Sequence, residues 1–290
     1  MEVVLLFNGL GNQMSQYAFY LAKKEKMRCF FIFDPRSTNE HNGYELERAF
    51  NIKATSILQR IITYIYIYGT GHPIISKLLK PFIKIIKEPL NYDYNPNYIK
   101  KRGDALINIY IGGWHSEKYF SHIRPKLLNE FTFNLKDINK NNKHWANIIK
   151  NDSHSISIHI RRGDYINIDP NNYYQFNNVA TTEYYNEAIK YFKFQYNDAH
   201  FYIFSNDIEW CKQNYIGHEY FFIDINNGQD SYYDMYLMTL CKHHINANST
   251  FSWWGAGLST NQTCRTIVPK CFIRNVVTKD LYPSNWIIFK

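Results

Sequence analysis

The chain has 290 residues, 45% of them hydrophobic, which is enough to build one large domain or two and excludes both a disordered chain and a small disulfide scaffold. Thirty-three Lys and Arg against 25 Asp and Glu give a net charge of +8, a balance that favours anionic partners such as nucleotides or a membrane surface. The five cysteines are odd in number and none shares a C-x-x-C spacing, so a zinc or redox centre built on them is not expected.

In chain order, Val3–Phe7 reads as a strand that runs into Asn8-Gly9, too short an apolar stretch for a signal segment, and a cytoplasmic protein is the expectation. A glycine turn, a helix over Gln13–Lys24 and a strand at Cys29–Phe33 follow. Residues 56–90 mix apolar residues with Arg60, Lys77, Lys80, Lys84 and Lys87, broken by Gly69, Gly71 and Pro73. Two amphipathic helices packed on a sheet are expected there, with contact at a membrane surface as the other reading. A strand at Leu106–Ile111 and a helix over Ser116–Asn129 come next. The polar run Lys136–Lys143 is the linker candidate, which puts the boundary near residue 150 and gives segments 1–150 and 151–290.

From Ser155 onward the rhythm is regular. Strands are expected at Ser155–Ile160, His200–Phe204, Tyr220–Asp224, His243–Asn246 and Arg265–Val268. Helices fall between them at Thr181–Tyr196, Ile208–Asn214, Ser231–Cys241 and Phe251–Leu258. Strand-helix alternation of this kind predicts a parallel sheet with helices on both faces, a Rossmann-like α/β domain.

Three segments carry the chemistry. Gly9-Leu10-Gly11-Asn12-Gln13 follows a strand and opens a helix, where backbone amides can approach an anion; a tight turn would explain the same glycines. In His159-Ile160-Arg161-Arg162-Gly163-Asp164, strand alternation places His159 and Arg161 on one face and Arg162 on the other. An arginine at the C-terminal end of a parallel strand sits where ligands bind in open α/β sheets, and its fork suits phosphate oxygens. For Arg162, an ion pair with a carboxylate such as Asp164 is the competing role. In Asn248-Ser249-Thr250-Phe251-Ser252, a hydroxyl-rich turn opening a helix offers a second anion cradle, with simple N-capping as the alternative. His243 and His244 are adjacent on a strand and point to opposite faces, so joint metal ligation is rejected. No Asp-x-Asp occurs anywhere, so arginine and helix dipoles, not a divalent ion, are expected to neutralise a departing diphosphate.

At these residues the chain resembles the bacterial α-1,2-fucosyltransferases. Gly-Leu-Gly-Asn-Gln, His-x-Arg-Arg-Gly-Asp-Tyr and Asn-Ser-Thr-Phe-Ser-Trp-Trp-Gly-Ala stand in the family's order, and Phe204-Ser205-Asn206-Asp207 with Trp210 resembles a fourth segment. The family more often has Phe where Ser15 stands and Trp where Gly257 stands, both of which read as packing positions. The resemblance implies two Rossmann-like domains facing a cleft (the GT-B type), with segment 1–150 on the acceptor side and 151–290 binding GDP-fucose. It implies inverting transfer of L-fucose from GDP-β-L-fucose to the 2-hydroxyl of a terminal galactose, without metal or other cofactor.

Carried onto this sequence, Arg161 would stabilise the leaving GDP, and His159 and Asp234 would contact the guanosine. Gly11, Asn12, Arg162, Asn248, Ser249, Thr250, Phe251 and Ser252 would complete the donor site. Asp164 is the first choice for the base that takes the acceptor proton, with Glu183 and Asp169 as alternatives. The acceptor expected is lactose, N-acetyllactosamine or a lipid-linked oligosaccharide in O-antigen synthesis, with peripheral contact at the inner membrane. A GT-B enzyme using another nucleotide-sugar, or an inactive sugar-nucleotide binder, are the alternatives. A nucleic-acid partner is not expected, since no run of five Lys or Arg exists.

Overall fold

The computed structural model describes residues 1–36, 41–54, 57–79, 81–166 and 175–289. The chain divides into two compact units, residues 1–134 with 279–281, and residues 135–278 with 282–290. The division therefore falls at Asn134, earlier than the boundary expected near residue 150.

Unit 1 contains β1 (Glu2–Leu6), α1 (Leu10–Lys24), β2 (Cys29–Phe33), α2 (Leu46–Phe50), α3 (Ile57–Gly71), α4 (Pro73–Leu79), β3 (Ile83–Lys87), α5 (Asn97–Lys100), β4 (Ile107–Ile111) and α6 (Arg124–Glu130). Its four strands are all parallel in the order β2-β1-β4-β3. Helix α1 is buried almost throughout, and its glutamines bond to backbone. Gln16 accepts from the Phe7 amide at 2.9 Å and donates to the Gly112 carbonyl at 3.1 Å, tying the ends of β1 and β4 together. Two helices appear in residues 56–90 as expected, the first ending at Gly71 and the second starting at Pro73, while Gly69 does not break the first. The strand β3 in the same stretch was not expected, because the lysines in Ile-Lys-Ile-Ile-Lys mimic an amphipathic helix. The helix expected over Ser116–Asn129 is two 3₁₀ turns followed by α6.

Unit 2 contains α7 (Lys140–Asn151), β5 (Ser155–Ile160), α8 (Gly163–Ile166), α9 (Thr182–Gln195), β6 (His200–Ser205), α10 (Ile208–Asn214), β7 (Tyr220–Phe222), α11 (Tyr232–Leu240), β8 (His243–Ile245), α12 (Thr250–Gly257), β9 (Thr266–Pro269) and β10 (Ile287–Phe289). The linker candidate turns out to be the start of α7: Asn139 caps it by accepting from the Asn142 amide at 2.9 Å, while Ala146 and Ile149 form its buried face. The sheet is fully parallel in the order β10-β9-β8-β5-β6-β7. Strand β5 is buried along its whole length, with Ile156, Ile158 and Ile160 packed against Tyr184, Tyr185, Ala188 and Phe192 of α9.

That strand order decides where a ligand goes. The chain winds from β5 outward through β6 and β7, then crosses to β8 on the other side and winds outward again. Between the C-terminal ends of β5 and β8 the connections leave in opposite directions, and such a switch point opens a crevice at the sheet's edge.

Candidate functional site

Arg161 and Arg162 lie just past β5, and Asn248 to Ser252 just past β8, so the switch point of unit 2 is flanked by two of the three segments singled out in the sequence. A pocket of about 220 Å³ opens there, lined among others by Arg161, Arg162, Tyr165, Thr181, Glu183, Trp210 and Asn248. Strand alternation does not extend to the arginines. The strand ends at Ile160, and both residues line this one pocket.

Arg162 is clamped. Its Nε donates to Asp207 Oδ2 at 3.3 Å, and its guanidinium lies 3.7 Å from the centre of the Trp210 ring. Asp207 is thus an ion-pair partner of this residue. Asn206 Oδ1 accepts from the amides of Arg162 and Gly163, at 2.9 and 3.2 Å, and so fixes the turn that presents both arginines. Asp207 also caps α10 through the Trp210 amide. Arg161 is half-buried, with its guanidinium 5.5 Å from the centre of the Tyr165 ring. Tyr165 stacks on Phe176 and donates to the Asn248 carbonyl at 3.2 Å, linking the β5 and β8 loops beneath the arginine.

The β8 segment is organised differently from the expectation. Asn248 is 1% exposed, and its Nδ2 donates to the carbonyls of Phe176 and Phe272, so the side chain holds the loops together. Ser249 Oγ accepts from the Phe251 amide, the N-capping role. Ser252 is fully buried and its hydroxyl donates to the carbonyls of Ala247 and Ser249. The Ser252 hydroxyl is thus committed to the turn, whereas Ser249, which accepts there, keeps its own proton to donate, and the helix N-terminus with half-exposed Thr250 and Phe251 is a face open to an anion.

His159 is 6% exposed, on the α12 side of β5 with its ring 5.5 Å from that of Phe251, and it does not line the pocket. Asp234, on α11, is half-buried and accepts from Asn226 Nδ2 at 2.7 Å. Burial pushes its carboxyl up to about 7. A raised carboxyl binds its proton more tightly in the folded chain than in the unfolded one, so stability falls as pH rises from about 4 to about 7. Asp234→Asn is therefore expected to melt above the parent chain at pH 8, with the gap closing below pH 4; equal midpoints at pH 8 would show that the carboxyl is not desolvated.

The side chain of Asp164 and all of Asp169 lie outside the described residues. Glu183 is exposed in the first turn of α9, and the local backbone amide with the Thr181 hydroxyl lowers its pKa, which makes it a weak base. In unit 1, Gly11 sits inside α1, where its carbonyl accepts from Ser15, and Asn12 is half-exposed in the first turn. The left-handed residue of that turn is Asn8, at φ 61°, and not a glycine. Both packing positions are buried as expected. At Gly257 a Cβ would meet Trp253 at 2.9 Å, so Trp253 fills space there.

Asn206, Asp207 and Trp210 were visible only as a segment of the resemblance, with no role attached. Glu88 gave no signal at all. It accepts from the Trp114 amide at 2.6 Å, burial pushes its carboxyl up to about 7, and Gly112 has room for no Cβ beside it. Among the described residues no group of three or more His, Cys, Asp or Glu side chains could hold a metal ion.

Two parallel α/β units, the second with paired arginines and a helix N-terminus at its switch point, have the architecture of a GT-B glycosyltransferase. The fold is similar to that of the fucosyltransferase NodZ from Bradyrhizobium, with a TM-score of 0.51 over 88% of this chain and 90% of that one at 10% identity. The family description for glycosyl transferase family 11 matches residues 77–290, and the chain belongs to that family. Two Escherichia coli proteins are similar from end to end. An α-1,2-colitosyltransferase is 32% identical over 98% of this chain and 97% of its own length, and the O-antigen biosynthesis glycosyltransferase WbnK is 29% identical over 97% and 98%.

Proposed function

We propose that this glycosyltransferase moves L-fucose from GDP-β-L-fucose to the 2-hydroxyl of a terminal galactose, with inversion, in the assembly of a surface polysaccharide such as O-antigen. The observation that carries this reading is Arg161, beside a clamped Arg162, in a pocket at the switch point of a Rossmann-like unit. The names of the two full-length relatives support the linkage position and the polysaccharide context.

In this mechanism the acceptor oxygen bonds to the anomeric carbon from the face opposite the nucleotide, the bond from that carbon to the β-phosphate oxygen breaks, and GDP leaves with the electron pair. The acceptor proton passes to a base, for which Asp164 is the first candidate. Negative charge grows on the diphosphate as the bond breaks, and a fixed guanidinium with the α12 amides stabilises that charge more in the transition state than in the bound donor. Asp207 and Trp210 hold the Arg162 side chain, and Asn206 holds the turn that follows Arg161. His159 and Asp234 are assigned to the guanosine.

A transfer assay with lactose and N-acetyllactosamine, run with GDP-fucose, GDP-mannose and UDP-sugars, tests the reading. The expected product is an α-1,2-fucosyl galactoside, formed at the same rate with and without a chelator. No transfer from GDP-fucose, or transfer that EDTA stops, would sink it. A second donor belongs in the same assay. Colitose is fucose without its 3-hydroxyl, and the colitosyltransferase relative favours GDP-colitose as the alternative.

A further inference from the structure

Helix α3 is mostly apolar, yet unit 1 buries one face of it. Ile62 and Tyr66 are buried with Val3, Leu5, Ile32 and Ile109 in the core beside the sheet. On the opposite side Ile57, Ile61 and Tyr64 are 79%, 52% and 62% exposed, and their spacing of four and three residues lines them up along a single stripe. Helix α4 continues the theme with Ile74 at 67% and Leu78 at 68%. Between these helices and β3 runs a trough of about 700 Å³ whose walls are mainly apolar, including Ile65, Leu79, Pro81 and Ile83, with the Lys84–Asp104 ion pair among the lining residues. Single exposed apolar side chains are ordinary, whereas a series of them on neighbouring elements marks an interaction surface.

The charge pattern of the same stretch selects the partner. From Arg48 to Lys87 the sequence carries Arg48, Lys53, Arg60, Lys77, Lys80, Lys84 and Lys87, and no Asp or Glu. Arg60, Lys77 and Lys87 are exposed. An apolar face set among cations, with no acidic residue interspersed, fits a surface that is oily beneath and negative on top. At 15 residues α3 is about 22 Å long, short of the roughly 30 Å hydrocarbon thickness, so it would lie along a bilayer and not cross it. Among the described residues no helix is long and apolar enough to span a membrane.

We infer that the α3–α4 face of unit 1 docks on an anionic phospholipid bilayer, with Ile57, Ile61, Tyr64, Ile74 and Leu78 entering the interface and Arg60, Lys77 and Lys87 pairing with lipid phosphates. The edge strand β3 carries Lys84 and Lys87, a pattern that also discourages strand pairing between copies, so the lysines alone would be an edge guard. The apolar stripe on α3 lies outside that explanation.

Vesicle co-sedimentation of the full chain tests the inference, using pure phosphatidylcholine vesicles and vesicles of phosphatidylcholine and phosphatidylglycerol in equal parts. The parent chain is expected to bind the mixed vesicles, to bind the neutral ones much less, and to lose binding as salt is raised. The Ile61→Glu, Leu78→Glu double variant and the Arg60→Glu, Lys77→Glu double variant are each expected to weaken binding at least about tenfold. Both keep their melting midpoints and their transfer rate on a soluble galactoside, since the substituted side chains are exposed. Failure of the parent chain to bind mixed vesicles, or equal binding by the variants, overturns the inference. So does concentration-dependent self-association that Ile61→Glu, Leu78→Glu abolishes in a chain that ignores vesicles, which assigns the face to a second copy. Vesicle binding by a chain that transfers no sugar would refute the proposed function and leave the docking face standing.

Discussion

Arg161→Ala is expected to lower transfer by at least roughly 10²–10³-fold, the scale of losing one preorganised donor to a developing oxyanion. The loss should fall on kcat more than on KM, because the guanidinium meets most of the charge only as the glycosidic bond breaks. Arg161→Lys is expected to fail nearly as badly. A lysine keeps the charge but not the planar two-pronged donor. Both variants should fold, since Arg161 is half-buried at the end of the strand and the β5 core is made by Ile156, Ile158 and Ile160. Steady-state transfer from GDP-fucose, alongside a melting curve, decides the matter; turnover within about tenfold of the parent would remove Arg161 from the mechanism.

Lys23→Ala is expected to cost about 3–5 kcal/mol of stability, the range for removing one partner of a buried ion pair. Lys23 is fully buried in α1. Its Nζ lies 3.6 Å from Glu2, donates to the Tyr98 carbonyl at 2.7 Å and to the Lys101 carbonyl at 3.2 Å, and sits 4.2 Å from the Tyr110 ring centre. Glu2 is 1% exposed and accepts from Asn108, Tyr110 and Gly103. Without the lysine, the carboxylate keeps Arg102 as an ion-pair partner, at 3.9 Å on the exposed side, and two carbonyls lose their donor. Lys23→Met combined with Glu2→Gln should recover most of the loss, because a neutral pair requires no burial of charge. Urea unfolding of the three chains measures this; a loss below about 1 kcal/mol for Lys23→Ala would place the pair in the range of exposed ones. This network sits at the N-terminal edge of sheet 1, whereas Arg161 sits at the C-terminal edge of sheet 2.

Most of unit 2 was legible from its sequence. Runs such as Ser155–Ile160 and His200–Phe204 are buried on both faces and alternate with helices of clear period, which leaves little choice but a parallel sheet. The place of Arg161 was legible for the same reason, since it follows directly from the strand it succeeds. What stayed hidden depends on contacts distant in sequence. Arg162 pairs with Asp207, 45 residues on, and nothing near either residue announces it. Ser252 and Asn248 look like ligand-binding groups until their carbonyl partners are known. Strand β3 was masked by its lysines. Helix α7 was masked by Lys140-Asn141-Asn142-Lys143, where Asn142 is in fact buried and bonded to Asn226. The early division at Asn134 follows from that helix, because it packs on α11 of unit 2.

Residues 279–281 return to unit 1 after nearly all of unit 2 has been laid down, and they are held there by Asp280 accepting from Lys118 and the Tyr94 amide and by Lys279 facing Asp93 at 3.2 Å. During synthesis the first unit therefore emerges from the ribosome unfinished. The contacts that Asp93, Tyr94 and Lys118 make with residues 279 and 280 are completed only when that late segment is present, so a chain cut before Lys279 is expected to lack them.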